Sequence, residues 1–122
     1  MPRILVVDDS ILQRSIIRKI LEPIRAEVVE AENGEDALGK LDGASFDCIV
    51  TDLLMPKMGG IPLMEKLREK GNSVPIIVIT ADIQETTKNR CIELGAKEFI
   101  NKPGISQLLP DSVLRLLNGA RG

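Results

Sequence analysis

The chain has 122 residues, of which 43% are apolar and 28% charged, and a formal net charge of −2. That is the size and composition of one folded domain around one buried core. A near-neutral, slightly acidic chain whose only aromatics are two Phe is a poor partner for nucleic acid, which needs a basic face and stacking rings. The absence of His removes histidine zinc sites, histidine general bases and Ser-His-Asp triads together.

Residues 4–7 are a continuous apolar run and predict a strand buried on both faces. The run is too short for a signal peptide or a membrane span, so a cytoplasmic location without membrane insertion is expected. Asp8-Asp9 follow, then Ser10, a candidate helix cap. Leu12, Ile16 and Ile20 repeat every fourth residue, with Ile17 and Leu21 beside them. They predict one apolar stripe on a helix that ends near Glu22-Pro23. Residues 27–31 predict a second strand. Asn33-Gly34 is a turn signal, and Ala37, Leu38 and Leu41 start a second helical stripe.

Residues 48–51 predict a third strand, ending at Asp52. Pro56 and Gly59-Gly60 mark a loop. Ile61, Met64 and Leu67 then share one face of a third helix, closed by Gly71. Residues 76–79, after Pro75, are the strongest strand signal and end at Thr80-Ala81. A fourth helix is expected over 83–94, stopping at Gly95. Residues 98–100 predict a fifth strand, leading to Asn101-Lys102-Pro103. Pro110 cannot donate a backbone hydrogen bond, so the last helix either begins there, with proline in its first turn, or begins earlier, near Ser106, and is distorted; the late start is the favoured expectation, burying Val113, Leu114 and Leu117. Cys48 and Cys91 are isolated in different elements and read as buried, reduced thiols.

Strand and helix alternate five times. That order implies an α/β fold, a parallel sheet with helices on both faces. In such sheets ligands bind beyond the carboxyl ends of the strands. Asp8 and Asp9 follow the first strand, Asp52 the third, Thr80 the fourth and Lys102 the fifth. The second strand ends only in a turn, as expected at the margin of the sheet. Three converging carboxylates repel one another and need a cation. With oxygen ligands and neither His nor Cys nearby, the natural cation is Mg²⁺. A metal, a lysine and a hydroxyl describe a site for a phosphoryl group, and a carboxylate can be its nucleophile. Asp52, after a central strand and before a loop shaped by Pro56 and two glycines, is the best placed.

These residues together resemble the receiver domain of two-component response regulators, in size the single-domain, CheY-like kind. The matching pieces are Val6-Val7-Asp8-Asp9-Ser10, then Thr51-Asp52-Leu53-Leu54-Met55-Pro56 with Gly59-Gly60, then Ile79-Thr80-Ala81, then Lys102-Pro103. Each is weak alone; in order, at strand ends, they are specific. The resemblance implies a receiver domain over 1–122 with a three-layer, doubly wound (βα)5, flavodoxin-like fold and a five-stranded parallel sheet of order 2-1-3-4-5.

It also implies roles. Asp52 is the phosphoacceptor and a metal ligand, Asp9 binds Mg²⁺ directly, Asp8 acts mainly through water, and Leu54 offers its backbone carbonyl. Thr80 contacts the phosphoryl group, Lys102 bridges toward it, and Phe99 is the switch aromatic that turns inward as Thr80 moves. The Lys102–Pro103 bond is expected to be cis. The implied donor is a phosphohistidine on a sensor histidine kinase or a histidine phosphotransfer domain. The implied output is a downstream effector protein, with a phosphorylation-dependent homodimer as an alternative. Such a domain is a signalling phosphoacceptor that catalyses its own phosphorylation and dephosphorylation rather than an enzyme.

The chain departs from the family pattern in three places. Phe99 lacks the hydroxyl of a tyrosine, Gly104 stands where a bulky apolar residue is common, and Pro110 disturbs the last helix. Asp82 lies where family members tune water access to the phosphoryl group. Competing readings fare worse. A haloacid-dehalogenase phosphatase would need a second Asp where Leu54 stands. A flavodoxin would need a Ser/Thr/Gly-rich phosphate loop where Asp8-Asp9 stand. A receiver-like domain that only binds partners would not need the full acidic set.

Overall fold

The computed structural model describes residues 1–119, so 120–122 of the expected span 1–122 lie outside the described residues. The strands are β1 (Arg3–Val7), β2 (Glu27–Ala31), β3 (Cys48–Asp52), β4 (Ile76–Thr80) and β5 (Glu98–Asn101). The helices are α1 (Ile11–Leu21), α2 (Gly34–Leu41), α3 (Gly60–Glu69), α4 (Glu85–Glu93) and α5 (Ile105–Gly119). All neighbouring strands pair in parallel, in the order β2-β1-β3-β4-β5. The fold class and strand order are those the sequence implied, with β2 at an edge.

Side-chain alternation along the central strands divides the core in two. Ile4, Val6, Val50, Ile77 and Ile79 meet Ile17 and Leu21 of α1 and Ile105, Leu109 and Val113 of α5. Leu5, Val7, Ile49 and Val78 meet Ala37 of α2, Leu63, Met64 and Leu67 of α3 and Cys91 of α4. The sheet is therefore clamped between helices on both faces, and its carboxyl edge is a rigid platform. Cys48 and Cys91 are free and buried; burial pushes the Cys48 thiol up to about 12, which leaves it inert.

Helix starts follow local chemistry. The Ser10 hydroxyl accepts the Gln13 N–H at 3.1 Å and caps α1. Asn33 Oδ1 accepts the Asp36 N–H at 2.9 Å, so Asn33 caps α2 rather than merely marking a turn. Gly95, at φ +99°, stops α4 with the left-handed geometry that glycine tolerates.

Two expectations are corrected. Helix α1 buries Ile17 and Leu21, while Leu12 is 71% exposed and Ile16 is exposed too. The apolar residues come in adjacent pairs, so a rotation by one residue, about 100°, chooses between two stripes. The chosen rotation turns Arg14, one turn before Ile17, toward the protein, where it is 13% exposed. Helix α5 takes the earlier of the two starts, at Ile105 rather than the favoured Pro110, and carries Pro110 inside it. Ile105 and Leu109 are buried, and burying two such side chains contributes about 3–6 kcal/mol, enough to offset the roughly 3 kcal/mol of an internal proline. Val113 and Leu117 are buried as expected, but Leu114 is exposed.

Pro110→Ala is expected to stabilise the protein by about 1–2 kcal/mol in urea unfolding, since it restores a donor to an existing helical turn. No gain would mean that the helical turn before residue 110 does not form.

Candidate functional site

The topological switch point lies between β1 and β3, where the chain leaves neighbouring strands toward opposite faces. Asp8 and Asp9 sit beyond the end of β1 and Asp52 at the end of β3. One carboxylate oxygen from each lies within 4.8 Å of the others. Asp8 and Asp52 are buried and Asp9 is exposed. The sequence-derived acidic set is therefore one cluster in space.

Each buried carboxylate is held. Asp8 Oδ1 accepts the Ser10 N–H at 2.9 Å. Asp52 Oδ1 accepts the Leu53 N–H at 2.7 Å, and Lys102 Nζ donates to Asp52 Oδ2 at 2.9 Å. Lys102 thus reaches Asp52 from the far edge of the sheet, across β4. Burial pushes the Asp8 carboxyl above the ordinary aspartate range; the Ser10 N–H opposes this and the Asp52 charge adds to it. Burial works against the Lys102 ammonium, but the hydrogen bond and charge of Asp52, then Asp8 and Asp9, outweigh it and raise its pKa.

The loop after β3 is shaped by close approach. A Cβ on Gly60 would lie 2.5 Å from the Asp52 carbonyl oxygen, and one on Gly59 would lie 2.4 Å from that of Leu53. Only glycines let the start of α3 fold back on the end of β3, where the Gly60 N–H donates to Leu53 O at 2.9 Å. The same loop is pinned to the start of α2, where the Gly34 N–H donates to Met58 O at 2.7 Å. Lys57 is forced to φ 69°, an uncommon conformation for a side chain of its kind. Leu54 exposes 78% of its surface. Its side chain takes no part in the crevice, and its carbonyl takes no backbone hydrogen bond outside regular elements among the described residues.

Thr80, buried at the end of β4, accepts the Asp82 N–H on its hydroxyl at 3.0 Å. Asp82 in turn accepts the Gln84 N–H at 2.9 Å and the Thr87 hydroxyl at 2.8 Å, closing the entry to α4. Phe99 pairs in register with Val78 and packs half-buried on the face that Thr80 shares by alternation. Lys102, Pro103 and Gly104 form a 3-10 turn into α5, and the Lys102–Pro103 bond is trans, not cis; the turn closes through the Ile105 N–H on Lys102 O. Arg14 makes a polar contact that no sequence motif announces: its guanidinium donates to Asp8 O and to Glu30.

An oxygen-only donor set of this charge suits a hard divalent cation such as Mg²⁺. The donors present fit that ion, with Asp8, Asp9 and Asp52 as its carboxylates. Parallel sheet, switch-point carboxylates, lysine and hydroxyl together define the phosphoacceptor class of doubly wound domain. The chain belongs to the response regulator receiver domain family, whose sequence profile matches residues 4–113. It is 38% identical over 109 residues to a protein-glutamate methylesterase/protein-glutamine glutaminase of Treponema denticola, covering 86% of this chain and 29% of that protein. It is 32% identical over 120 residues to the two-component response regulator ORR3 of Oryza sativa, covering 96% of this chain and 88% of that one. Among solved structures it superposes at a TM-score of 0.85 on the response regulator TrrA of Thermotoga maritima in complex with Mg(2+)-BeF, with 32% identity, 96% of this chain and 100% of that one.

Because Asp8 is pushed upward, its ionisation costs stability: its contribution favours the fold below the ordinary aspartate pKa and is lost as pH rises through the raised one. Asp8→Asn is therefore expected to stabilise the metal-free protein at pH 7 by about 1–2 kcal/mol, part of the roughly 4 kcal/mol of a close like-charge pair. Mg²⁺ should raise the calorimetric midpoint of the parent but not of the variant, and the gain should shrink as pH falls and protons compete for Asp8. A variant less stable than its metal-free parent would contradict the repulsion.

Proposed function

We propose that this chain takes a phosphoryl group from a phosphohistidine of a sensor histidine kinase or histidine phosphotransfer domain onto Asp52. The observation that carries this is that Asp52 belongs at once to the three-carboxylate cluster and to an ion pair with Lys102. A carboxylate oxygen of Asp52 attacks phosphorus as the donor's P–N bond breaks, and the electron pair leaves on the imidazole nitrogen. Asp8 (mainly through water), Asp9, Asp52 and the Leu54 carbonyl would hold Mg²⁺, which when bound would neutralise charge on the phosphoryl oxygens.

Lys102 exchanges its hold on the Asp52 carboxylate for a phosphoryl oxygen without leaving the crevice. The Thr80 hydroxyl accepts from Asp82 and keeps its own proton free to donate to another phosphoryl oxygen. That pull draws the β4–α4 loop inward, Phe99 follows, and the face of α4, β5 and α5 is redrawn. Attack of water on the acyl phosphate, with Asp52 leaving as carboxylate, resets the domain, so the chain acts as a signalling module rather than an enzyme with an outside substrate.

Exposed Ile11, Leu12 and Ile16 beside the acidic loop offer an apolar landing for the donor's helices. Exposed Ile92, Leu108 and Leu114 offer one to a downstream effector or a second phosphorylated copy. No helix among the described residues is long and apolar enough to cross a membrane, and a cytoplasmic receiver domain spanning 1–122 suits these partners.

Incubation with Mg²⁺ and a small-molecule phosphodonor is expected to add one phosphoryl group by intact mass. Asp52→Asn should gain none, and chelation of Mg²⁺ should abolish the gain. A gain that survives in Asp52→Asn would overturn the assignment of the acceptor. No gain under any condition would leave a domain that binds partners without this chemistry.

A further inference from the structure

Of the three clustered carboxylates, Asp9 alone has no hydrogen-bond partner for its side chain among the described residues, while Asp8 and Asp52 are both held. Its direction is set by the backbone before it. The Asp8 N–H is fixed on Ala31 O at 3.0 Å. The Asp8 carbonyl, the other end of that residue, takes Arg14 Nη1 at 2.5 Å. Arg14 Nε donates to Glu30 Oε1 at 2.8 Å, and Glu30 Oε2 accepts Arg18 Nε at 3.0 Å and Nη2 at 2.8 Å. Arg18 is anchored in turn on Val28 O at 3.1 Å.

We infer that Arg14 is a positioning residue for the cation site: clamped between Glu30 and the Asp8 carbonyl, it fixes the Asp8–Asp9 peptide and so aims the Asp9 carboxylate. This role rests on the phosphoacceptor reading of the crevice. Two donors of one planar guanidinium span a loop carbonyl and a carboxylate on β2, which a lysine ammonium on its flexible stem cannot reproduce in the same fixed geometry. The charge of Arg14 by itself argues the opposite way, because a cation behind the loop repels a metal ion. Removing Arg14 should therefore tighten cation binding if only its charge matters, and weaken it if its geometry matters.

The test is calorimetric titration of the full chain with Mn²⁺ alone, below each variant's unfolding midpoint, for the parent, Arg14→Gln, Arg14→Lys, Glu30→Gln and Asp9→Asn. The two Arg14 variants are expected to bind about tenfold more weakly, the usual effect of losing a group that orients a ligand. Glu30→Gln, which keeps an acceptor, should lose less. If Arg14→Gln does not fold, Arg14→Lys, which keeps the charge and the partner Glu30, decides. Parent-like or tighter binding in that variant overturns the inference. If Asp9→Asn also binds as the parent does, the crevice reading itself falls; if Asp9→Asn loses binding while the Arg14 variants keep it, only the role of Arg14 falls.

Discussion

Mutual repulsion of three carboxylates is the constraint on which this site depends. Asp8, Asp9 and Asp52 present oxygens within 4.8 Å of one another, and they cannot move apart, because β1 and β3 are hydrogen-bonded neighbours buried from both sides. The fold answers with directed donors. Backbone N–H groups of Ser10 and Leu53 each take one oxygen, and Lys102 crosses the crevice to take a third. This offsets part of the charge and leaves the remainder as affinity for a cation. The strain is the kind proteins keep where chemistry happens, and the surrounding platform is rigid enough to hold it.

The α4–α5 side is built differently. Helix α5 buries Ile105, Leu109 and Val113, whereas α4 buries only Cys91. What holds α4 is polar: the Asp82 carboxylate that accepts the Thr87 hydroxyl in its first turn, the Arg90–Glu65 pair at 2.8 Å to α3 and the Arg68 donor on Glu93 O at its end. Exposed polar ties of this sort contribute little each. The helix that begins beside Thr80 is thus the one the core holds least, and low local stability is where a switch finds its moving part.

Much of this was legible in the sequence. Alternating apolar runs placed the five strands within a residue of their bounds, because strands buried on both faces leave an unbroken apolar signature. The site was legible because unusual residues fell together at strand ends. Three things were not. The rotation of α1 turned on the adjacent pairs Ile16-Ile17 and Ile20-Leu21, which periodicity cannot separate. The start of α5 turned on burial of Ile105 and Leu109, a tertiary gain that overrides the local penalty of Pro110. Arg14 became visible only once the rotation of α1 was known, since an arginine on a helix reads as a solvated charge until its neighbours are placed.

The central claim is that Asp8, Asp9 and Asp52 behave as one electrostatic unit that takes up one cation. The most direct test is carboxyl-carbon NMR titration of these three residues over pH, without and with Mg²⁺. The account predicts that without metal Asp8 ionises above an ordinary aspartate and that its curve shifts when Asp52 is replaced by Asn. With Mg²⁺ at neutral pH all three resonances should move together along one binding curve. An Asp8 curve that lies at the ordinary aspartate position and ignores the replacement of Asp52, or resonances that ignore Mg²⁺, would contradict it.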